Sequence, residues 1–186
     1  MNEAYEKSFP RSINCDGRLV ELRLLKEGDQ EAVLDFARSL PEEDLQFLRI
    51  DITDPAVVDR WIASVAEGVR VTVLAFEGDQ LVGYGSLNRR ELSWMRHLGE
   101  IRVIVAESMR GRGLGRILAH EVFGVAKELG LTKIVAQMAR QQAGARKMFH
   151  DLGFSAEALL GDWVIDRDGR TRDMLIMSYD MTGLEG

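Results

Sequence analysis

The chain has 186 residues, 46% of them hydrophobic and 29% charged, which is the balance of one folded globular unit with a substantial core. Lys and Arg number 24 against 30 Asp and Glu, a formal charge of −6 that does not suit a general nucleic-acid binder. The single cysteine, Cys15, excludes an internal disulfide and a multi-thiolate metal site.

The first residues, MNEAYEKSFPRSINC, hold no apolar run long enough for a signal peptide. VTVLAF at 71–76 and VIVA at 103–106 are the longest apolar stretches. Both fall far short of the roughly 20 residues that span a bilayer. The expectation is a cytoplasmic protein with no membrane partner. Residues 1–17 read as a polar N-terminal arm and about 18–181 as one globular core, without repeat or linker.

Residues 18–24 (RLVELRL) alternate well enough for an edge strand. Ala32, Val33, Phe36, Ala37 and Leu40 form one helical stripe with Asp29 as its N-cap. Asp54-Pro55 starts a second helix, with a capping carboxylate followed by proline at the first helical position. Residues 70–76 and 81–88 form a hairpin around Glu77-Gly78-Asp79-Gln80. GEIRVIVA at 99–106 is a mostly buried strand. A long helix runs from Leu114 to a stop at Gly130. Lys133 to Met138 is a strand, and Ala145 to Leu152 a short helix ending at Gly153. The tail forms two strands around Asp168-Gly169. The order β-α-α-β-β-β-α-β-α-β-β predicts an α/β (α+β) fold, a mixed sheet with helices on its faces.

The segment from Val103-Ile104-Val105 to Arg110-Gly111-Arg112-Gly113-Leu114-Gly115-Arg116 carries the chemistry. Strand, loop, glycines and helix in that order make an anion site. The helix N-terminus offers amides and partial positive charge. Glycines let the backbone approach a ligand closely. Arg110, Arg112 and Arg116 add donors suited to phosphate. A pyrophosphate is the natural guest. A Walker loop is excluded, because no Lys-Ser/Thr follows the glycines. A dinucleotide fingerprint fits poorly, because the spacing is G-x-G-x-G and the segment lies late in the chain.

Arg110-x-x-Gly113-x-Gly115 after a Val-Ile-Val strand resembles the acetyl-CoA motif of the GNAT superfamily of N-acetyltransferases. That motif has Gln or Arg, two residues, Gly, one residue, then Gly or Ala. The likeness covers the strand order from about Leu19 to Met181. It includes Leu152-Gly153-Phe154, similar to the Leu-Gly-Phe that ends the family's following helix. The resemblance implies that the strand at 99–106 splays from its neighbour, so that Val103, Ile104 and Val105 meet the pantetheine arm. It implies that the pyrophosphate sits on Arg110, Gly111, Arg112, Gly113, Leu114 and Gly115, with Arg116 beside it. Gln142 stands where the family has Asn, and Phe149 where it often has an acid tyrosine. Both belong to the expected cofactor surface. Tyr84 and Tyr179 are the alternatives for the acid.

The implied reaction is direct transfer of acetyl from acetyl-CoA to a primary amine, with both substrates bound together and no metal. Glu100 is the candidate general base. A shift of one residue in register would turn it to the opposite face, as a solvated strand-end carboxylate. Cys15 lies far along the chain from the motif and reads as an incidental thiol. A non-catalytic acyl-CoA-binding or sensing module on the same fold is the competing reading.

The acceptor is expected among Leu40–Asp54, Arg89–Leu98 and the 159–173 hairpin. Glu42, Glu43, Asp44, Asp51 and Asp54 would make an acidic rim for a cationic amine, or an ordinary solvated face. Ser39-Leu40-Pro41-Glu42-Glu43-Asp44 also resembles a stretch in the GNAT domains of bacterial protein lysine acetyltransferases, so a protein lysine is a second acceptor class. Trp94 and Met95 either line a pocket or cap the core. His97, His120 and His150 lack metal-ligand spacing. The sequence leaves a homodimer open.

Overall fold

The computed structural model describes residue 6 and residues 8–48, 50–89 and 93–182. The strands are β1 (Arg11–Cys15), β2 (Arg18–Leu24), β3 (Arg70–Glu77), β4 (Gln80–Arg89), β5 (Leu98–Val105), β6 (Lys133–Ala139), β7 (Ser155–Ile165) and β8 (Thr171–Asp180). They form one mixed sheet in the order β1-β2-β3-β4-β5-β6-β8-β7. Among the described residues, only β5 and β6 pair in parallel. The helices are α1 (Gln30–Ser39), α2 (Glu42–Leu45), α3 (Pro55–Ala66), α4 (Leu114–Glu128) and α5 (Ala143–Asp151).

The sheet separates two apolar layers. On one face, Val33 and Phe36 of α1 and Val58 and Trp61 of α3 pack on Leu74, Phe76 and Tyr84. On the other, Val122 and Val125 of α4 pack on Leu87, Ile101 and Ile134. Leu114 and Leu118 of α4 reach Val20, Leu22 and Val73. The helix α4 lies unusually close to β4. A β-carbon on Gly85 would stand 3.0 Å from the Leu118 carbonyl oxygen and from a Val122 methyl, a spacing that leaves no room for a side chain.

The expected order is present with two additions. The polar arm contains a strand: β1 pairs with β2 through a turn of Asp16 (φ 53°) and Gly17 (φ 82°). Its alternation is weak because only Cys15 of the strand is fully buried. The short α2 follows Pro41.

Asp54 caps α3 as expected, accepting the Ala56 amide at 2.8 Å. Asp29 does not cap α1 through its side chain. Its carboxylate instead accepts from both terminal guanidinium nitrogens of Arg23 and from the Lys26 amide, all at 2.8 Å. Burial opposes ionisation of Asp29, but these partners outweigh it and hold the carboxyl below the usual carboxylate range. No helix among the described residues is long and apolar enough to cross a membrane.

Candidate functional site

The parallel pair β5–β6 sets the site. Its register runs only from Leu98 with Lys133 to Ile101 with Ala136. Beyond that point β5 stays on β4 through Val105, and β6 stays on β8 through Ala139. The two strands therefore part in a V. Peptide groups alternate sides along a strand. The Ala106 amide bonds to the Val82 carbonyl at 2.8 Å, on the β4 side. Ile104, two residues earlier, faces β4 in the same way. Val103 and Val105 turn their amides and carbonyls into the V. The Ile104 peptide groups belong to the sheet, and its side chain packs on the α1–α3 layer.

At the end of β5 a single 3₁₀ turn (Glu107–Met109) leads to the glycine turn. Gly111 (φ +75°) and Gly113 (φ +85°) both occupy the left-handed region, which costs an ordinary residue about 1–2 kcal/mol. A β-carbon at either would meet no atom within 4 Å. The constraint at these two positions is thus dihedral rather than steric. Gly113 is the N-cap of α4, with no side-chain cap. The Ile117 amide is the first to bond back, to the Gly113 carbonyl at 3.1 Å. The amides of Leu114, Gly115 and Arg116 precede the helix's own bonds and carry the positive end of its dipole. Gly115 faces the body: a β-carbon there would stand 3.0 Å from the Met148 sulfur and 3.6 Å from Val105.

The arginines around this turn are held by acids. Arg110 pairs with Asp44 of α2. Arg112 reaches Asp16 at 2.6 Å and the Ser108 carbonyl at 3.2 Å. Arg116 lies 3.8 Å from Asp151. Cys15 is not remote from the motif. It is buried beneath it, with the thiol donating to the Arg112 carbonyl at 3.1 Å. Burial, with the nearby Asp16 charge, pushes that thiol up, so it is a poor nucleophile.

Alternation along β5 resolves the parity of Glu100. Ile101 packs under α4, while Glu100 and Arg102 point to the other face. There they line a cavity of about 410 Å³ with Trp61, Tyr84, Ser86 and Gln137. Glu100 lies 3.8 Å from Arg102. A second cavity, about 360 Å³, shares Arg102 and Gln137 with the first. Trp163, Asp166 and Arg172 of the β7–β8 hairpin wall its far side. The three segments expected around the acceptor do border this cleft, through Ile50, Met95 and Trp163. Of those segments, Arg49 and Arg90 to Leu92 lie outside the described residues.

The remaining expected residues divide. The Gln142 side-chain oxygen accepts the Ala139 amide at 2.9 Å, which places it at the open end of β6. Phe149, expected on the cofactor surface, turns into the core, its ring edge-on to Phe154 at 4.9 Å. Tyr179 stacks on Phe123 in the same cluster and does not line either cavity. Tyr84 does line the larger one, and burial pushes its phenol up. Trp94 is 88% exposed, whereas Met95 is a cavity residue.

The acidic rim is largely answered. Asp44 is taken by Arg110, Asp51 by Arg167 at 2.6 Å, and Asp54 by its helix. Sequence reasoning missed Arg70, Arg89, Arg102 and Gln137 of the cleft. Arg102 was accessible to it, because two residues from Glu100 on a strand is the same face. Among the described residues, no group of three His, Cys, Asp or Glu is gathered to hold a metal ion.

The model of the acetyltransferase (GNAT) family matches residues 34–154. A ribosomal-protein-alanine N-acetyltransferase from Brucella melitensis superposes with a TM-score of 0.75 at 26% identity, over 86% of this chain and 98% of that one. YncA from Salmonella typhimurium, solved with its cofactor acetyl-CoA, superposes with a TM-score of 0.75 at 22% identity, over 87% and 94%. Among curated proteins, YwnH of Bacillus subtilis, named as a candidate phosphinothricin acetyltransferase, is 28% identical over 83 residues, 45% of this chain. That match spans about half the length of the relative, 50%.

Proposed function

Because the chain belongs to the acetyltransferase (GNAT) family, we propose that it moves an acetyl group from acetyl-CoA directly to a primary amine, both bound at once. The observation that carries this reading is the continuity of the glycine turn, the V between β5 and β6, and the cavity that holds Glu100.

The residues present fit the co-substrate. The amides of Leu114, Gly115 and Arg116, with the positive-φ turn at Gly111 and Gly113, would hold the pyrophosphate. The Val103 and Val105 peptide groups would pair with the amide-bearing arm, with Gln142 at the end of the V. Arg110 and Arg112 would exchange their carboxylate partners for phosphate oxygens. The thioester supplies an activated acetyl group at the point where the V meets the cavity.

A primary ammonium with a pKa near ~10.4 must lose its proton before it can attack. Glu100, on the cavity wall, would take that proton directly or through water. The amine nitrogen then bonds to the thioester carbonyl carbon, the carbon–sulfur bond breaks with its electron pair leaving on sulfur, and the second proton that the new amide nitrogen sheds passes to the departing thiolate or to water. A thiolate whose acid has a pKa near ~8.5 leaves without obligatory help. Tyr84 lines the same cavity with a phenol that burial keeps protonated, and would supply the proton where one is used.

Glu100→Gln tests the assignment. Acetyl-CoA affinity is expected to stay as in the parent, while CoA release with an amine falls by about 10²–10⁴, the range for loss of a general base. Unchanged turnover would remove Glu100 from the mechanism. A second reading, a non-catalytic acyl-CoA-binding module, draws on Phe149, which carries no proton and lies in the core. It predicts cofactor binding with no amine-dependent CoA release.

A further inference from the structure

We infer that the acceptor is a small amine carrying an uncharged oxygen group, hydroxyl or carbonyl, two or three carbons from the nitrogen, and that Ser86 is the residue that selects it. This rests on the acetyl-transfer reading above and names the substrate class of the same site.

Six polar or charged side chains are buried among the described residues: Asp29, Thr72, Ser86, Glu121, Asp166 and Ser178. Five are engaged within the protein. Asp29 accepts from Arg23, Glu121 from Arg11 and Asp166 from Arg172. Thr72 accepts the Trp61 indole N–H at 3.1 Å, and Ser178 donates to Glu157. Ser86 is the exception. It is 2% exposed, and its hydroxyl has no hydrogen bond among the described residues. Tyr84, two residues earlier on β4 and equally buried, makes ring contacts with Trp61 at 4.8 Å and Phe36 at 6.1 Å. Its hydroxyl likewise has no hydrogen bond among the described residues. Yet no side-chain nitrogen or oxygen wholly shut off from solvent lacks a partner among those residues. Both hydroxyls therefore open into the larger cavity, which Tyr84 and Ser86 line together.

Buried polar groups are normally hydrogen-bonded, so an unanswered one on a cavity wall marks where a ligand completes the bond. An acceptor that fills the cavity takes these hydroxyls out of water. A methylene set against them leaves them unpaired, whereas an oxygen accepts from them and a hydroxyl also donates back. In the β4–β5 register Ser86 stands opposite Arg102, and Asn88 opposite Glu100. Ser86 is thus diagonal to Glu100 on one face, roughly 7–8 Å between backbones. With the amine nitrogen at the Glu100 carboxylate, an oxygen two or three carbons further on reaches the Ser86 hydroxyl. A protein lysine has only methylenes over that span. A peptide N-terminus has a carbonyl there, but its chain continues beyond it. At about 410 Å³ the cavity stands near the small end of the range for ligand pockets, roughly 300–1,000 Å³, which suits a small acceptor.

The test is CoA release by the full chain with acetyl-CoA and three matched sets of acceptors: short amino alcohols, amides of the small amino acids, and alkyl amines with a methyl group in place of the oxygen group. Rates are referred to the unprotonated amine, because a nearby oxygen lowers an amine's pKa. The expected result is a kcat/KM for the best oxygen-bearing amine at least about tenfold above its alkyl counterpart. The better of the alcohol and amide sets identifies the group as hydroxyl or carbonyl. Ser86→Ala is expected to lower kcat/KM for that amine about 10- to 100-fold, chiefly through KM, and to erase the preference. Ser86→Thr, which keeps the hydroxyl, is expected to restore part of it. A retained melting shift with acetyl-CoA shows that each variant is folded. Alkyl amines that react as well as the oxygen-bearing ones would overturn the proposal and leave acetyl transfer standing. So would an equal loss for all three sets in Ser86→Ala, or a protein lysine or peptide N-terminus that reacts better than every small amine. Acetyl-CoA binding with no CoA release from any amine would overturn the transfer reading itself, and this proposal with it.

Discussion

Gly113→Ala, compared with Gly130→Ala, separates a ligand role for the glycine turn from a purely conformational one. Both glycines hold positive φ, +85° and +66°, and a β-carbon at either meets no atom within 4 Å. One begins α4 and the other follows its C-terminal end. Alanine therefore adds the same left-handed strain at both, about 1–2 kcal/mol. In a chain of this size that lowers the melting temperature by roughly 2–8 °C. The two variants should differ only toward acetyl-CoA. At position 113 a methyl group would stand over the helix N-terminus and keep a phosphate from its amides. Losing one charge-assisted hydrogen bond there, about 1.5–3 kcal/mol, weakens binding by about 10- to 150-fold. Calorimetric titration of both variants measures this. Parental affinity in Gly113→Ala, or equal weakening in both, would refute the placement of the pyrophosphate on this turn.

Two further outcomes follow from ion pairs. Asp44→Asn removes the carboxylate that holds Arg110, so acetyl-CoA affinity should rise, by no more than about fivefold because exposed pairs contribute about 0–1 kcal/mol; weaker binding on titration would mean that Asp44 positions Arg110 for the ligand. Asp29 is held below the usual carboxylate range by Arg23 and Lys26 against its burial, and a lowered folded pKa stabilises above the unfolded value and is lost as pH falls through the folded one. The melting temperature of the parent should thus fall below about pH 4 more steeply than that of Asp29→Asn, and parallel curves would contradict this.

The legible features were those encoded locally. Pro55 after Asp54 announced α3, Gly78 the β3–β4 hairpin, and the run from Arg110 to Gly115 the turn before α4. Each depends on dihedrals or caps that a few neighbouring residues set. The unread features depend on partners distant in sequence. Cys15 and Arg112 are 97 residues apart and in contact, and no local pattern joins them. Asp29 looks like a cap by position, but Arg23 on the neighbouring strand takes its side chain. The strand β1 is mostly exposed, so its alternation carries little signal. Glu100 was found as a residue type at a strand position. Its face depended on the pairing of β5 with β4, where Asn88 lies opposite. The arginines of the cavity were hidden for a related reason: Arg70, Arg89 and Arg102 come from three strands and meet only after the sheet forms.

The most direct measurement is thermal unfolding with and without acetyl-CoA, using NAD and ATP as controls. At 100 times its dissociation constant a ligand stabilises by about 2.7 kcal/mol, which in a chain of this length raises the melting temperature by roughly 5–10 °C. A shift of that size with acetyl-CoA, and none with NAD or ATP, is the predicted result. No shift with acetyl-CoA, or an equal one with ATP, would contradict the account.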